Sequence, residues 1–99
     1  MSDTEVGVER GRDRSVEGLS LYGYPQCPYC ARVLGAAERL GLELPLRNTL
    51  QDPAHRSALL EAMGRGTVPV LRIEHEDGRV EWLPESADIV DYLVERFAG

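Results

Sequence analysis

Apolar and polar positions fall into short blocks whose spacing changes along the chain. Leu19, Leu21 and Tyr22 form a compact apolar run, and Leu19–Tyr24 is predicted as a strand. Val33, Ala36, Ala37 and Leu40 recur at helical spacing, which predicts a helix from Pro28 to Leu40. Pro28 suits its first position, where the missing N–H costs nothing, and Gly41 suits its end. Glu43–Asn48 reads as a short strand, and Pro45, which cannot donate to a ladder, marks it as an edge. Asp52-Pro53 opens a second helix as N-cap and first residue; Leu59, Ala62 and Met63 mark its apolar face and Gly64 its end.

After a loop over residues 64–67, Val68–Glu74 is predicted as a strand. Glu76-Asp77-Gly78 is a hairpin signal, and Arg79–Leu83 returns antiparallel with Val80 and Trp82 on one face. Pro84-Glu85-Ser86 breaks that strand. Ser86 is the expected N-cap of a last helix, with Asp88 in its first turn and Ile89, Val90, Leu93 and Phe97 as its buried stripe. The order is β-α-β-α-β-β-α. The first half requires a parallel, right-handed crossover, and the second a hairpin followed by a helix.

Residues 1–17 lack this patterning. Charges alternate with glycines, and only Val6, Val8 and Val16 are apolar, so the segment is expected to be a flexible tail before a domain over residues 18–99. A short edge strand around Val6 and Val8 is the alternative. Formal charge is −6, with 17 acidic residues against 11 basic ones, every one of them arginine. That balance argues against nucleic-acid binding and against a polybasic membrane patch. No apolar run approaches the ~20 residues of a membrane span, and the charged N-terminus has no apolar core of a secretory signal. A cytoplasmic protein is expected, where stable disulfides are rare and paired cysteines serve catalysis or metals.

The two cysteines, Cys27 and Cys30, are separated by Pro28 and Tyr29 and lie between a strand and a helix. In that setting the spacing reads as a redox motif. Cys27 falls at a helix N-terminus, where unpaired N–H groups and the dipole favour a thiolate, and its pKa should fall. Cys30 lies a turn further in, suited to resolve a mixed disulfide. The competing reading is half a zinc site. Tetrahedral zinc needs four ligands, and His55 and His75 are not spaced to complete the set, so no metal is expected. Both histidines are expected at the surface and Trp82 in the core; Arg47, Asn48 and Asp52 are assigned no chemistry. Pro69 admits either a trans proline opening a strand or a cis bond that turns the Val68 backbone toward the cysteines. Glu85-Ser86, at a helix N-terminus, is a candidate anion site.

Three elements carry a family resemblance: Cys27-Pro28-Tyr29-Cys30, Thr67-Val68-Pro69, and Pro84-Glu85-Ser86 with the helix after it. The chain resembles the dithiol glutaredoxins over residues 19–97, and its Glu-Ser element is similar to that of the glutathione-transferase N-terminal domain. The resemblance implies an α/β thioredoxin fold with a four-stranded mixed sheet flanked by helices. It implies a cis Val68–Pro69 bond and a monomeric glutathione-dependent thiol–disulfide oxidoreductase. Its partners would be glutathione and glutathionylated or disulfide-containing proteins. Cys27 would be the nucleophile and Cys30 the resolving thiol. Tyr29, Thr67, Val68, Pro69, Glu85 and Ser86 would hold glutathione, with Ser86 on its α-carboxylate and Glu85 on its ammonium group.

The chain departs from that pattern in three places. It lacks the lysine common before the first cysteine, has Gly66 where a cation often precedes Thr67, and carries Pro84-Glu85-Ser86-Ala87-Asp88 where a Gly-Gly-x-x-Asp segment is common. Gln26, Arg32 and Arg65 are therefore the candidates for the glycine carboxylate of glutathione. Two other functions stay open. One is an iron–sulfur carrier using Cys27 and glutathione, disfavoured by the stiffening Pro28. The other is a non-catalytic transferase-like interaction module. A glutathione-independent, thioredoxin-type role would leave Glu85-Ser86 idle.

Overall fold

The computed structural model describes residues 16–98. Its elements run β1 (Leu19–Gly23), α1 (Pro28–Arg39), β2 (Leu46–Asn48), α2 (Pro53–Met63), β3 (Val70–Glu74), β4 (Val80–Pro84) and α3 (Ser86–Phe97). The four-stranded sheet has the order β2-β1-β3-β4. β1 pairs with β2 in parallel and with β3 antiparallel, and β3 pairs with β4 antiparallel. This is the expected mixed sheet of a thioredoxin-like α/β fold, with β2 at an edge and the crossover helix α1 between its two parallel strands.

Strand alternation splits the sheet into two faces. Leu19 and Leu21 of β1 and Leu71 and Ile73 of β3 meet Val33 and Ala37 of α1 and Ile89, Leu93 and Phe97 of α3 in the main core. On the other face Tyr22, Val70 and Leu59 of α2 form a smaller cluster, with Ala58, Met63, Val68 and Trp82 packed against it. β1 is buried along its whole length, as a central strand covered on both faces should be.

Local chemistry explains most of the boundaries. Gly41 (φ +76°) takes the left-handed position after the Leu40 C-cap of α1. The Asp52 carboxylate accepts from the Ala54 N–H and so caps α2, and Gly64 (φ +77°) closes it.

Several elements differ from expectation. Glu43–Pro45 runs beside β1 without ladder pairing apart from the Pro45 carbonyl, which accepts from the Leu21 N–H at 2.8 Å. β3 begins at Val70, not Val68, and the Val68–Pro69 bond before it is cis. β4 extends through Pro84, which stands opposite Val70. Ala62 is exposed, and Ala58 takes the inward place one turn earlier on α2. Only Gly78 of the hairpin has positive φ, so the connection is a three-residue turn closed by His75 and Arg79. The N-cap of α3 is Glu85, not Ser86; Ser86 is its first helical residue. Val16 packs against the main core, and the Val6–Val8 segment lies outside the described residues. No described helix is long and apolar enough to cross a membrane.

Candidate functional site

Both cysteines sit where β1 turns into α1. The turn is pinned by the Cys27 N–H donating to the Tyr24 carbonyl at 3.2 Å and by the Ala31 N–H donating to the Cys27 carbonyl at 2.8 Å. Cys27 is the N-cap of α1, partly exposed, and no acidic residue stands in the first turn to oppose a thiolate. Burial pushes the Cys27 thiol up, but the backbone N–H groups of Cys30 and Tyr29 and the Cys30 thiol, all directed at its sulfur, outweigh it. The net result is a pKa below the ordinary 9.0. Cys30 is fully buried. Burial pushes its thiol up to about 11, the Tyr24 backbone opposes this, and the neighbouring Cys27 sulfur adds to it. The pair is thus divided into an accessible, readily ionised thiol and a buried one that keeps its proton.

A cavity of about 300 Å³ opens beside this turn, lined by Tyr29, Met63, Arg65, Thr67, Val68, Pro69, Val70, Pro84, Glu85 and Ser86. Each predicted ligand residue is on its wall. Tyr29 from the first turn of α1 stands 58% exposed, whereas Ser86 is 9% exposed at the start of α3. The cis Val68–Pro69 segment forms the wall between them, with Pro69 buried. Glu85 has φ +76° and ψ +113°, a backbone state that non-glycine residues rarely hold and that costs of order 1–3 kcal/mol. It is the one non-glycine residue with positive φ among those described, and it lies in the site.

The three candidate cation or amide partners separate. Arg65 lines the cavity. Arg32 is exposed, with its guanidinium 5.9 Å from the Tyr29 ring centroid. Gln26 is exposed and is not among the lining residues. Met63, Val70 and Pro84 are walls that the sequence did not single out. Nothing local marks them, since they enter the site only through the way α2 and β4 end and β3 begins.

Outside the site, His55 and His75, expected at the surface, are half-buried by their partners, and Trp82, expected in the core, is half-buried against the smaller cluster. Trp82 packs on Tyr22 with ring centroids 5.1 Å apart, and the Arg72 guanidinium lies 5.7 Å from the Trp82 ring centroid. His55 meets the Tyr22 ring edge-on and is 3.5 Å from the Asp52 carboxylate; His75 is 3.1 Å from that of Glu81. No group of three or more His, Cys, Asp or Glu side chains among the described residues is arranged to hold a metal ion.

Residues 21–99 match the model of the glutathione S-transferase N-terminal domain. The chain belongs to that family. Among solved structures, a maleylacetoacetate isomerase from Anaeromyxobacter dehalogenans 2CP-1, with glutathione bound in its active site, is 30% identical. The match covers 81% of this chain and 38% of that one, with a TM-score of 0.61. Glutathione transferase F7 from Populus trichocarpa is 29% identical over 82% of this chain and 37% of its own, with a TM-score of 0.63. Bombyx mori glutathione transferase BmGSTD1 is 28% identical over 83% and 37%, also at a TM-score of 0.63. The chain therefore spans well under half the length of these transferase-family structures. No curated protein sequence matches it.

Proposed function

We propose that this domain is a glutathione-dependent thiol–disulfide oxidoreductase of the glutaredoxin type, built on a transferase-family N-terminal fold. The observation that carries this reading is the division of the dithiol beside the cavity. Cys27 stands partly exposed at the N-terminus of α1 with its pKa lowered, Cys30 is buried behind it with its pKa raised, and Tyr29 between them lines the cavity that Val68–Pro69 and Glu85–Ser86 also line. Relatives that bind glutathione support glutathione as the cosubstrate.

The start of α3 would take the α-carboxylate of the γ-glutamyl end on the Ser86 hydroxyl and N–H, with Glu85 facing its ammonium group. The Val68 backbone would pair with the peptide, and Arg65 is the cavity's cation for the glycine carboxylate. The Cys27 thiolate attacks the glutathione sulfur of a protein–glutathione disulfide. A Cys27–glutathione disulfide forms, and the protein thiolate leaves and takes a proton. A second glutathione thiolate then attacks that disulfide, releasing oxidised glutathione and restoring the Cys27 thiolate. On a protein disulfide, the Cys27 thiolate forms a mixed disulfide and releases one substrate thiolate; Cys30, its proton passing to the second departing substrate thiolate, then closes the Cys27–Cys30 disulfide, which two glutathiones reduce as oxidised glutathione leaves. A reducing compartment such as the cytoplasm suits this cycle.

Turnover of a glutathione mixed disulfide, coupled to glutathione reductase and NADPH, tests the proposal. Cys27→Ser should abolish it, and Cys30→Ser should retain most of it. Equal loss in both variants overturns the monothiol step. The family match supports a second reading, a glutathione-binding module without turnover. Glutathione binding by calorimetry with no turnover in the same assay would establish that one instead.

A further inference from the structure

Gly23, the last residue of β1, is buried, and its φ is not among the positive values that usually call for glycine. Space is the reason for it. A Cβ built there would lie 2.5 Å from the Cys30 Sγ, closer than real Cβ contacts come, but an ordinary 3.6 Å from the Cys30 Cβ and from the Val68 Cβ. The backbone cannot easily retreat. The Gly23 carbonyl accepts from the Thr49 N–H at 3.1 Å, Gly23 is paired with Asn48 in the β1–β2 ladder, and the adjoining Tyr24 carbonyl holds the Cys27 N–H. The Cys30 sulfur therefore rests in the notch left by the missing side chain.

We propose that Gly23 is a positioning residue for the dithiol. Its missing Cβ seats the Cys30 sulfur against the end of β1, fixing both its burial and its approach to Cys27. The proposal rests on the reading of Cys27 and Cys30 as a redox pair, and it deepens that reading by naming what sets the resolving thiol. An alanine here must push that sulfur out of the notch, since only the sulfur is too close. The buried thiol then moves toward solvent, and the balance between dithiol and Cys27–Cys30 disulfide changes. The exchange concerned is balanced: the reduced pair and one oxidised glutathione give the protein disulfide and two reduced glutathiones.

The test is a cycle of four proteins: wild type, Gly23→Ala, Cys30→Ala, and the double variant. Gly23→Ala should lower Tm in the wild-type background and leave it unchanged in the Cys30→Ala background, where no sulfur remains to be met. Equal losses in both backgrounds would overturn the proposal, as would no loss in either. If Gly23→Ala alone does not fold, folding of the double variant is the supporting outcome, and its failure the contrary one. Two further readouts separate positioning from packing. In a Cys27→Ser background, Gly23→Ala should speed alkylation of Cys30 by about tenfold or more. With both cysteines present, it should move the dithiol–disulfide constant against a glutathione buffer by about tenfold. An unchanged alkylation rate with an unchanged constant would overturn the proposal. Neither measurement requires catalytic turnover, so failure of the oxidoreductase assay and failure of this inference are separate results.

Discussion

Cys27 and Cys30 are the same side chain three positions apart, yet burial and backbone drive their protonation in opposite directions. In the unfolded chain Cys30 titrates near its ordinary value of 9.0, and in the folded chain at about 11. Between those values the unfolded state binds fewer protons, so stability falls as pH rises through that window. Cys27 acts with the opposite sign below 9.0. Its depressed pKa lets the folded state release the proton first, and stability rises with pH up to that point. Urea midpoints measured across the alkaline window should fall in the wild type and fall less in Cys30→Ser. Glu85 gives a second residue-scale expectation. Glycine relieves its positive φ, so Glu85→Gly should leave stability unchanged or raise it by about 1 kcal/mol. It should also weaken glutathione binding, read by calorimetry alongside thermal melts. A large loss of stability would show that the Glu85 side chain, not its backbone, holds this corner.

The elements owe their ends to short-range chemistry, and these were legible in the chain. Asp52-Pro53 started α2 where expected because a carboxylate reaches the Ala54 N–H. Asp52→Ala should cost about 0.5–2 kcal/mol in denaturant unfolding, and Asp52→Asn far less. The loss should not reach the cysteines, since the cap lies at the far end of α2 from Met63 and the cavity. The start of α3 was less legible. Ser86 has the composition of an N-cap, and the sequence alone favours it there. Pairing of Pro84 with Val70 carries β4 one residue closer to the helix than the Pro-Glu-Ser break suggests. That leaves Glu85 as the single residue between strand and helix, and it adopts the strained conformation that turns the chain.

At the scale of the whole molecule, one sheet carries two hydrophobic clusters on opposite faces, and β1 and β3 contribute to both. Loss of either cluster therefore removes support from the other. Trp82, the sole tryptophan, packs on the α2 side, while Leu93 is fully buried on the α1–α3 side. Leu93→Ala should cost about 2–5 kcal/mol. It should shift the tryptophan-fluorescence transition and the far-ultraviolet circular dichroism transition together. Separate transitions would mean that the two faces melt independently.

The amino-acid sequence determined the order of elements, most of their caps and the identity of the dithiol. These depend on groups a few residues apart: a proline at a helix start, a glycine at a left-handed position, a carboxylate two residues from an unpaired N–H. Tertiary structure alone decided what lies between elements. Arg65 reached the cavity while Gln26 and Arg32 did not, because the end of α2 and the loop after it line that side, whereas the cysteine turn contributes Tyr29 alone. Ala58 packs against the smaller cluster while Ala62, one turn later on the same helix, is exposed, so the period alone did not select the buried turn. Nothing in the local sequence singles out Gly23, which lies within the predicted strand Leu19–Tyr24. Its meaning lies in a sulfur seven residues later that the fold brings into the space of its missing side chain. Such contacts close across the sheet and the cysteine turn, beyond the reach of any local pattern.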